Sequence, residues 1–238
     1  MRTKATLLPS LPMPAPEDIT EGALFDELIA QYATLTARSE DLVVRHIVSE
    51  VEGLSRPHIA RYVSFLSKGR LLMTSSPWST SSEEQFLLPS TLLAPITSFQ
   101  QQFTFIASTL PASSVMILYR QVASSISSYL VDRMVFQQSR GKIAPSDTTV
   151  LATEYRLWIE CSKQAVGKTV RRIDVPWERL RDAASLIGVA VQDFVPLVRV
   201  ARDGDPDKFQ ASMEQLGVTS YSQAEVKQVL RLRTDFTN

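Results

Sequence analysis

From Leu92 to Leu110, large apolar residues return at steps of four and three: Leu92, Ile96, Phe99, Phe103, Ile106 and Leu110. An α-helix turns once in about 3.6 residues, so this spacing puts all six on one face, whereas a half-buried strand needs alternation in twos. Pro95 is expected in the first turn of this helix or at a kink in it. The same periodicity recurs along the chain. Leu24, Leu28, Tyr32, Leu35, Val43, Ile47, Val51 and Leu54 predict a long helix over residues 19–54, with Glu27, Arg38, Glu40, Asp41, Arg45 and Glu50 mostly on the other face. Pro57 predicts a break, because proline suits a first turn and not a helix interior. Ile59, Tyr62, Val63 and Leu66 then mark a shorter helix, ended near Gly69. Pro111 opens a helix that buries Val115, Leu118, Val122, Ile126, Tyr129 and Met134. A further stripe is Leu151, Tyr155, Trp158, Cys161 and Ala165.

The last seventy or so residues read as shorter helices with their punctuation intact. Asp174 is placed to cap a helix holding Trp177, Leu180, Ala184 and Ile187. Phe194, Leu197, Val198 and Ala201 mark another. Asp205-Pro206 starts a third, with Phe209, Met213 and Leu216, and Gly217 ends it. Ser222 and Glu225 have capping-box spacing before Val226, Val229 and Leu230. Residues 71–85, with Ser-Ser-Pro-Trp-Ser-Thr-Ser-Ser, and Gly141 to Asp147 read as connections. Only 8 glycines occur in 238 residues, and hairpin turn pairs between alternating segments are absent. The expectation is an all-α fold, an elongated stack of antiparallel helices. Its divisions are a flexible lead-in over 1–18, long helices over 19–168 and a bundle of shorter helices over 169–238.

The search for chemistry excludes more than it finds. Lys plus Arg and Asp plus Glu are each 25, so no net charge draws the chain to nucleic acid or anionic lipid. Arg2, Lys4, Leu7, Leu8 and Leu11 are interrupted by Pro9, Pro12, Pro14 and Pro16, which is unlike a secretion signal. No apolar run approaches the ~18 residues of a membrane span. Cys161, the single cysteine, reads as a small core residue. His46 and His58 have no companion ligands at metal-site spacing, and His58, just after Pro57, reads as a surface residue. Gly167-Lys168-Thr169 resembles the end of a phosphate loop, but Ser162 stands where that motif needs glycine. No serine lies in a Gly-x-Ser-x-Gly motif, and Ala123, Ser124, Ser127 and Ser128 read as helix contacts or a polar face. No catalytic, cofactor or metal residues are expected, and the chain is read as no enzyme. Exposed cations of the final helix, Lys227, Arg231 and Arg233, are the candidate protein interface.

Four segments carry a family resemblance. One is Phe25-Asp26-Glu27-Leu28-Ile29 with Tyr32, Leu35, Arg38 and Val48-Ser49-Glu50-Val51. Another is Tyr119-Arg120-Gln121-Val122-Ala123 through Ile126, Tyr129 and Leu130. The third runs from Glu178 to Leu186. The last is Glu225-Val226 through Val229-Leu230-Arg231-Leu232-Arg233-Thr234-Asp235-Phe236. Together they resemble the C-terminal region of the Tip/Rint family, subunits of the Dsl/NRZ vesicle-tethering complex. Gly141-Lys142-Ile143-Ala144-Pro145 departs from the family's glycine-alanine turn by a longer route to Leu151 and Glu154.

The resemblance implies the distal part of a helical rod. It implies a protein peripheral to the cytoplasmic face of the endoplasmic reticulum membrane, or in the cytosol, that acts in retrograde transport from the Golgi. The implied partners are tethering-complex subunits and endoplasmic reticulum SNARE proteins, without nucleic acid or direct membrane insertion. The alternative is a cargo-binding adaptor similar to the globular tail of a class V myosin. A helical enzyme or lipid-transfer domain would instead require an enclosed pocket with convergent polar groups.

Overall fold

The helix α1 (Glu21–Ser67) is followed by α2 (Ser90–Thr109), α3 (Ala112–Val131) and α4 (Thr148–Val166), then by four shorter helices. These are α5 (Glu178–Ile187), α6 (Val191–Asp203), α7 (Pro206–Leu216) and α8 (Gln223–Arg231). This computed structural model describes residues 21–67, 90–137, 143, 148–203 and 205–236. The expected lead-in, Gly69, the connection over 71–85 and, apart from Ile143, the Gly141 turn lie outside them. Among the described residues there is no strand, only an isolated bridge between Ile143 and Arg233. The fold is all-α, as the periodicity requires.

The chain divides into two compact units, residues 1–42 and 43–238. In the first, α1 carries Phe25, Leu28, Tyr32 and Leu35 with exposures of 61, 42, 70 and 59%. Leu28, Tyr32 and Leu35 belong to the stripe that was expected to pack; Phe25 lies beside it. Their spacing correctly marks an apolar face, but spacing alone does not place another element over it.

In the second unit Ile47 and Val51 are buried, and α1 runs through Pro57 without the expected break. Proline at 57 deprives the Gly53 carbonyl of its helical donor. Both Pro57 and Gly53 are exposed, so water can serve that carbonyl. Because the helix continues, Val51, Ser55, His58 and Tyr62 fall on one buried face. His58 is therefore no surface residue: it is 1% exposed. Its Nδ1 lies 2.9 Å from Thr91 Oγ1, and its Nε2 lies 3.4 Å from Glu154 Oε2, joining α1 to α2 and α4.

The centre of this unit is aromatic. Phe99 and Phe103 of α2 have ring centroids 4.7 Å apart. Phe99 meets Trp158 of α4 edge-on at 5.6 Å, and Trp158 stacks on Trp177 at 5.1 Å and 21°. Edge-on and offset contacts suit the ring quadrupoles, and all four rings are fully buried. The polar tips are only partly served. Trp177 Nε1 donates to Tyr119 Oη at 3.0 Å, and that hydroxyl donates to the Ile173 carbonyl at 2.7 Å. Trp158 Nε1 has no hydrogen-bond partner among the described residues. Burial pushes the Tyr119 hydroxyl up to about 12. Ser127, fully buried on α3, accepts from the Leu180 N–H at 3.2 Å and ties α3 to α5.

Two local departures set the outer parts of this core. A π-helical turn, Asp132–Phe136, prolongs α3; its wider winding brings the consecutive residues Met134 and Val135 both into the interior. A 3₁₀ turn, Val175–Trp177, precedes α5. Asp174 therefore does not cap a helix with its side chain as expected. It is itself in right-handed helical conformation, and its carbonyl accepts from the Trp177 N–H at 3.0 Å. Gly167-Lys168-Thr169 follows the C-terminus of α4, where the helix dipole is negative and repels phosphate.

Cys161 is buried, as its stripe predicts, and burial pushes its thiol up to about 12. Alkylation by iodoacetamide at mildly alkaline pH should be slow in the native protein and fast in denaturant. Rapid native labelling would show that this side chain is accessible. Phe99→Ala should lower stability by about 3–5 kcal/mol in urea unfolding, whereas Leu93→Ala, on the same helix but 56% exposed, should change it by less than about 0.5 kcal/mol.

Candidate functional site

The C-terminal helices are fixed by local capping first. Asp205 accepts from the Asp207 and Lys208 N–H groups at the start of α7, and Pro206 occupies the first turn. Gly217 ends α7 in the left-handed region at φ 67°, which a side chain would disfavour. Ser222 and Glu225 form the expected capping box on α8. Burial opposes the charged Glu225 carboxylate, but its bonds with Ser222 and Arg179 win and lower its pKa.

Two side chains then bind this region to α5. Asp182 is fully buried, and its Oδ2 accepts from the Thr219 and Ser220 N–H groups and the Ser220 hydroxyl at 2.8 to 2.9 Å. Its Oδ1 accepts from Arg181 Nε and Nη2 at 3.0 and 2.9 Å. Arg179 reaches Glu225 at 2.9 Å and Asp132 at 3.5 Å, with its guanidinium 5.1 Å from the Tyr221 ring centre. The expectations from sequence named neither residue. A signal was present for Asp182, four residues before Leu186 on a helix otherwise buried by leucine, isoleucine and alanine.

Arg233 corrects the expected interface. Its side chain is fully buried, not exposed. Nη1 donates to the carbonyls of Ile187 and Val189 at 2.9 and 2.6 Å. Nε and Nη2 donate to the two Asp235 oxygens at 2.9 and 2.6 Å, and the guanidinium lies 4.0 Å from the Phe194 ring centre. The physical reason is that α8 ends at Arg231, so Arg233 is aimed by a turn and not by the helix face assumed for it. Next to it, Ile143 N–H donates to the Leu232 carbonyl and Thr234 N–H to the Ile143 carbonyl, at 2.7 and 3.0 Å. The planar guanidinium thus holds the end of α5, the start of α6 and the C-terminal turn together.

This clamp shapes a groove of about 350 Å³ between α6 and α8. Val198, Ala201, Leu230 and Phe236 supply its apolar surface; Arg202, Lys227 and Arg231 supply three cations. The Arg202 guanidinium lies 5.1 Å from the Phe236 ring centre. Gln223 Nε2 donates to the Ala201 carbonyl at 3.0 Å, fixing α8 beside α6. Two of the three expected cations, Lys227 and Arg231, therefore meet at one groove. An apolar floor rimmed by cations is an arrangement suited to adhesion. Among the described residues, no three His, Cys, Asp or Glu side chains gather as a metal site.

The sequence of residues 10–233 matches the model of the RINT-1/TIP-1 family. The chain belongs to that family. The RINT-1/TIP-1 family is one of tethering-complex subunits and not of enzymes, and it covers both α6 and α8. No curated protein and no solved structure matches the chain. Among the described residues, no single helix is long and apolar enough to cross a membrane.

Removing the clamp should separate its structural role from that of its neighbours. Arg233→Ala should cost about 3–5 kcal/mol, because it leaves a half-buried carboxylate and two carbonyls without their donor. Arg231→Ala should stay within about 0.5 kcal/mol of the parent. Urea unfolding measures both. Acid gives a second signature. The bonds from Arg233 hold the Asp235 carboxyl below its ordinary value of 3.8. That stabilisation is complete above the ordinary value and is lost as the pH falls toward the lowered one. Unfolding free energy should therefore drop below about pH 4 more steeply in the parent than in Asp235→Asn.

Proposed function

We propose that this RINT-1/TIP-1 family chain is a protein-binding scaffold of a vesicle-tethering complex in Golgi-to-endoplasmic-reticulum retrograde transport. It works at the cytoplasmic face of the endoplasmic reticulum membrane as a peripheral protein. Its partners are the other tether subunits and the SNARE proteins of that membrane. The observation that carries this reading is the family match across residues 10–233. The filled aromatic interior supports it: close packing resists deformation, and a stiff helical support holds bound partners at a fixed separation. Lys227 and Arg231, at the mouth of the groove, are the proposed contact residues.

Affinity purification of the tagged chain from cells, read by quantitative mass spectrometry, tests the reading. Tether subunits and endoplasmic reticulum SNARE proteins should be enriched together. Enrichment of cargo receptors without them would replace it with the cargo-adaptor reading.

A further inference from the structure

The groove between α6 and α8 does not end at its own walls. Val191, Val195, Val198 and Arg202 succeed one another at steps of four, three and four, so they share one face of α6. Val191 is 62% exposed and Val195 58%. The apolar part of this row, Val191 to Val198, runs for about two turns, roughly 10 Å, and one turn further on it reaches Arg202 and the other two cations of the groove. Among the described residues, no carboxylate lines the groove. Among the described residues, Arg202, Lys227 and Arg231 enter no ion pair, in contrast with Arg179, Arg181 and Arg233.

We infer that this surface receives an amphipathic helix of a protein partner, with apolar residues three and four apart and carboxylates in one terminal turn. The inference rests on the scaffold reading and names the chemistry of the segment bound. A row of valines at helical spacing beside a groove presents ridges into which another helix can pack. Three cations at one end, in no ion pair among the described residues, set the charge and the direction of that helix. A membrane fits less well. The chain has no net charge, and the row offers valines where membrane-seeking helices use Trp, Phe or Leu. A second copy docked about a two-fold axis would bring the same cations face to face if the rows ran parallel, and would set them against Val191, with no carboxylate to meet them, if the rows ran antiparallel.

The test uses the full chain and a fluorescently labelled helical peptide of about four turns, with Leu at i, i+4 and i+7 and three Glu in its last turn. A matched peptide carries Lys for Glu. In anisotropy titrations the Glu peptide should bind saturably, and the Lys peptide about tenfold or more weakly. Arg202→Glu, Lys227→Glu and Arg231→Glu together should reverse that preference. Val195→Asp should weaken the Glu peptide about tenfold. Urea midpoints close to the parent's establish that the variants fold. Equal binding of both peptides, failure of the Glu peptide to bind, or indifference to the triple charge reversal would overturn the inference. So would flotation with phosphatidylserine vesicles, or self-association in sedimentation, that the triple reversal abolishes. Capture of tether subunits with no Glu-peptide binding would sink the groove and leave the scaffold standing. Peptide binding with no capture of tether subunits would do the reverse.

Discussion

Trp158 stacked on Trp177 is the contact on which the second unit depends. One ring belongs to the middle of α4 and the other to the turn that opens α5, so the stack joins the long helices to the short ones. Phe99 braces both rings from α2, and Tyr119 supplies the Trp177 N–H with its acceptor. A core of this kind is close-packed and loses several kcal/mol when one large ring is removed. That stiffness gives the peripheral helices a fixed base.

Polar side chains orient those peripheral helices on the base. Asp182 gathers the backbone between α7 and α8, and Arg233 gathers backbone from both ends of the α5–α6 connection. Buried charges are costly unless they are paired and hydrogen-bonded, and both are. With these ends held, α6 and α8 lie side by side and leave Arg202, Lys227 and Arg231 around one groove. The arrangement explains how a chain without net charge has a locally basic surface. It also fits a tethering-complex subunit, whose work is to hold other proteins and not to transform a substrate.

Helix existence was legible because 3.6-residue periodicity acts locally. The stripe from Leu92 to Leu110 is buried except for its last member, Leu110, which lies past the end of α2. The Asp205-Pro206 start, the Gly217 stop and the Ser222–Glu225 box were equally readable, since each satisfies backbone groups within a few residues. The site was legible only in part. Lys227 and Arg231 belong to the groove, but Arg233, of the same residue type and two positions on, is interior. A charge pattern cannot tell a solvated cation from one whose partners arrive from residues 187, 189 and 235.

Sequence alone determined the helical class, the main stripes and the caps of α7 and α8, because these depend on neighbours within a turn or two. Tertiary structure decided the continuation of α1 through Pro57, the burial of His58, the π turn after α3 and the clamp by Arg233. Each depends on which surface lies opposite, water beside Gly53 in one case and the α5–α6 connection in another. It also decided that the apolar row from Phe25 to Leu35 stays exposed while its continuation at Ile47 and Val51 is covered. Periodicity fixes which side chains share a face; only long-range packing fixes whether water or protein meets it.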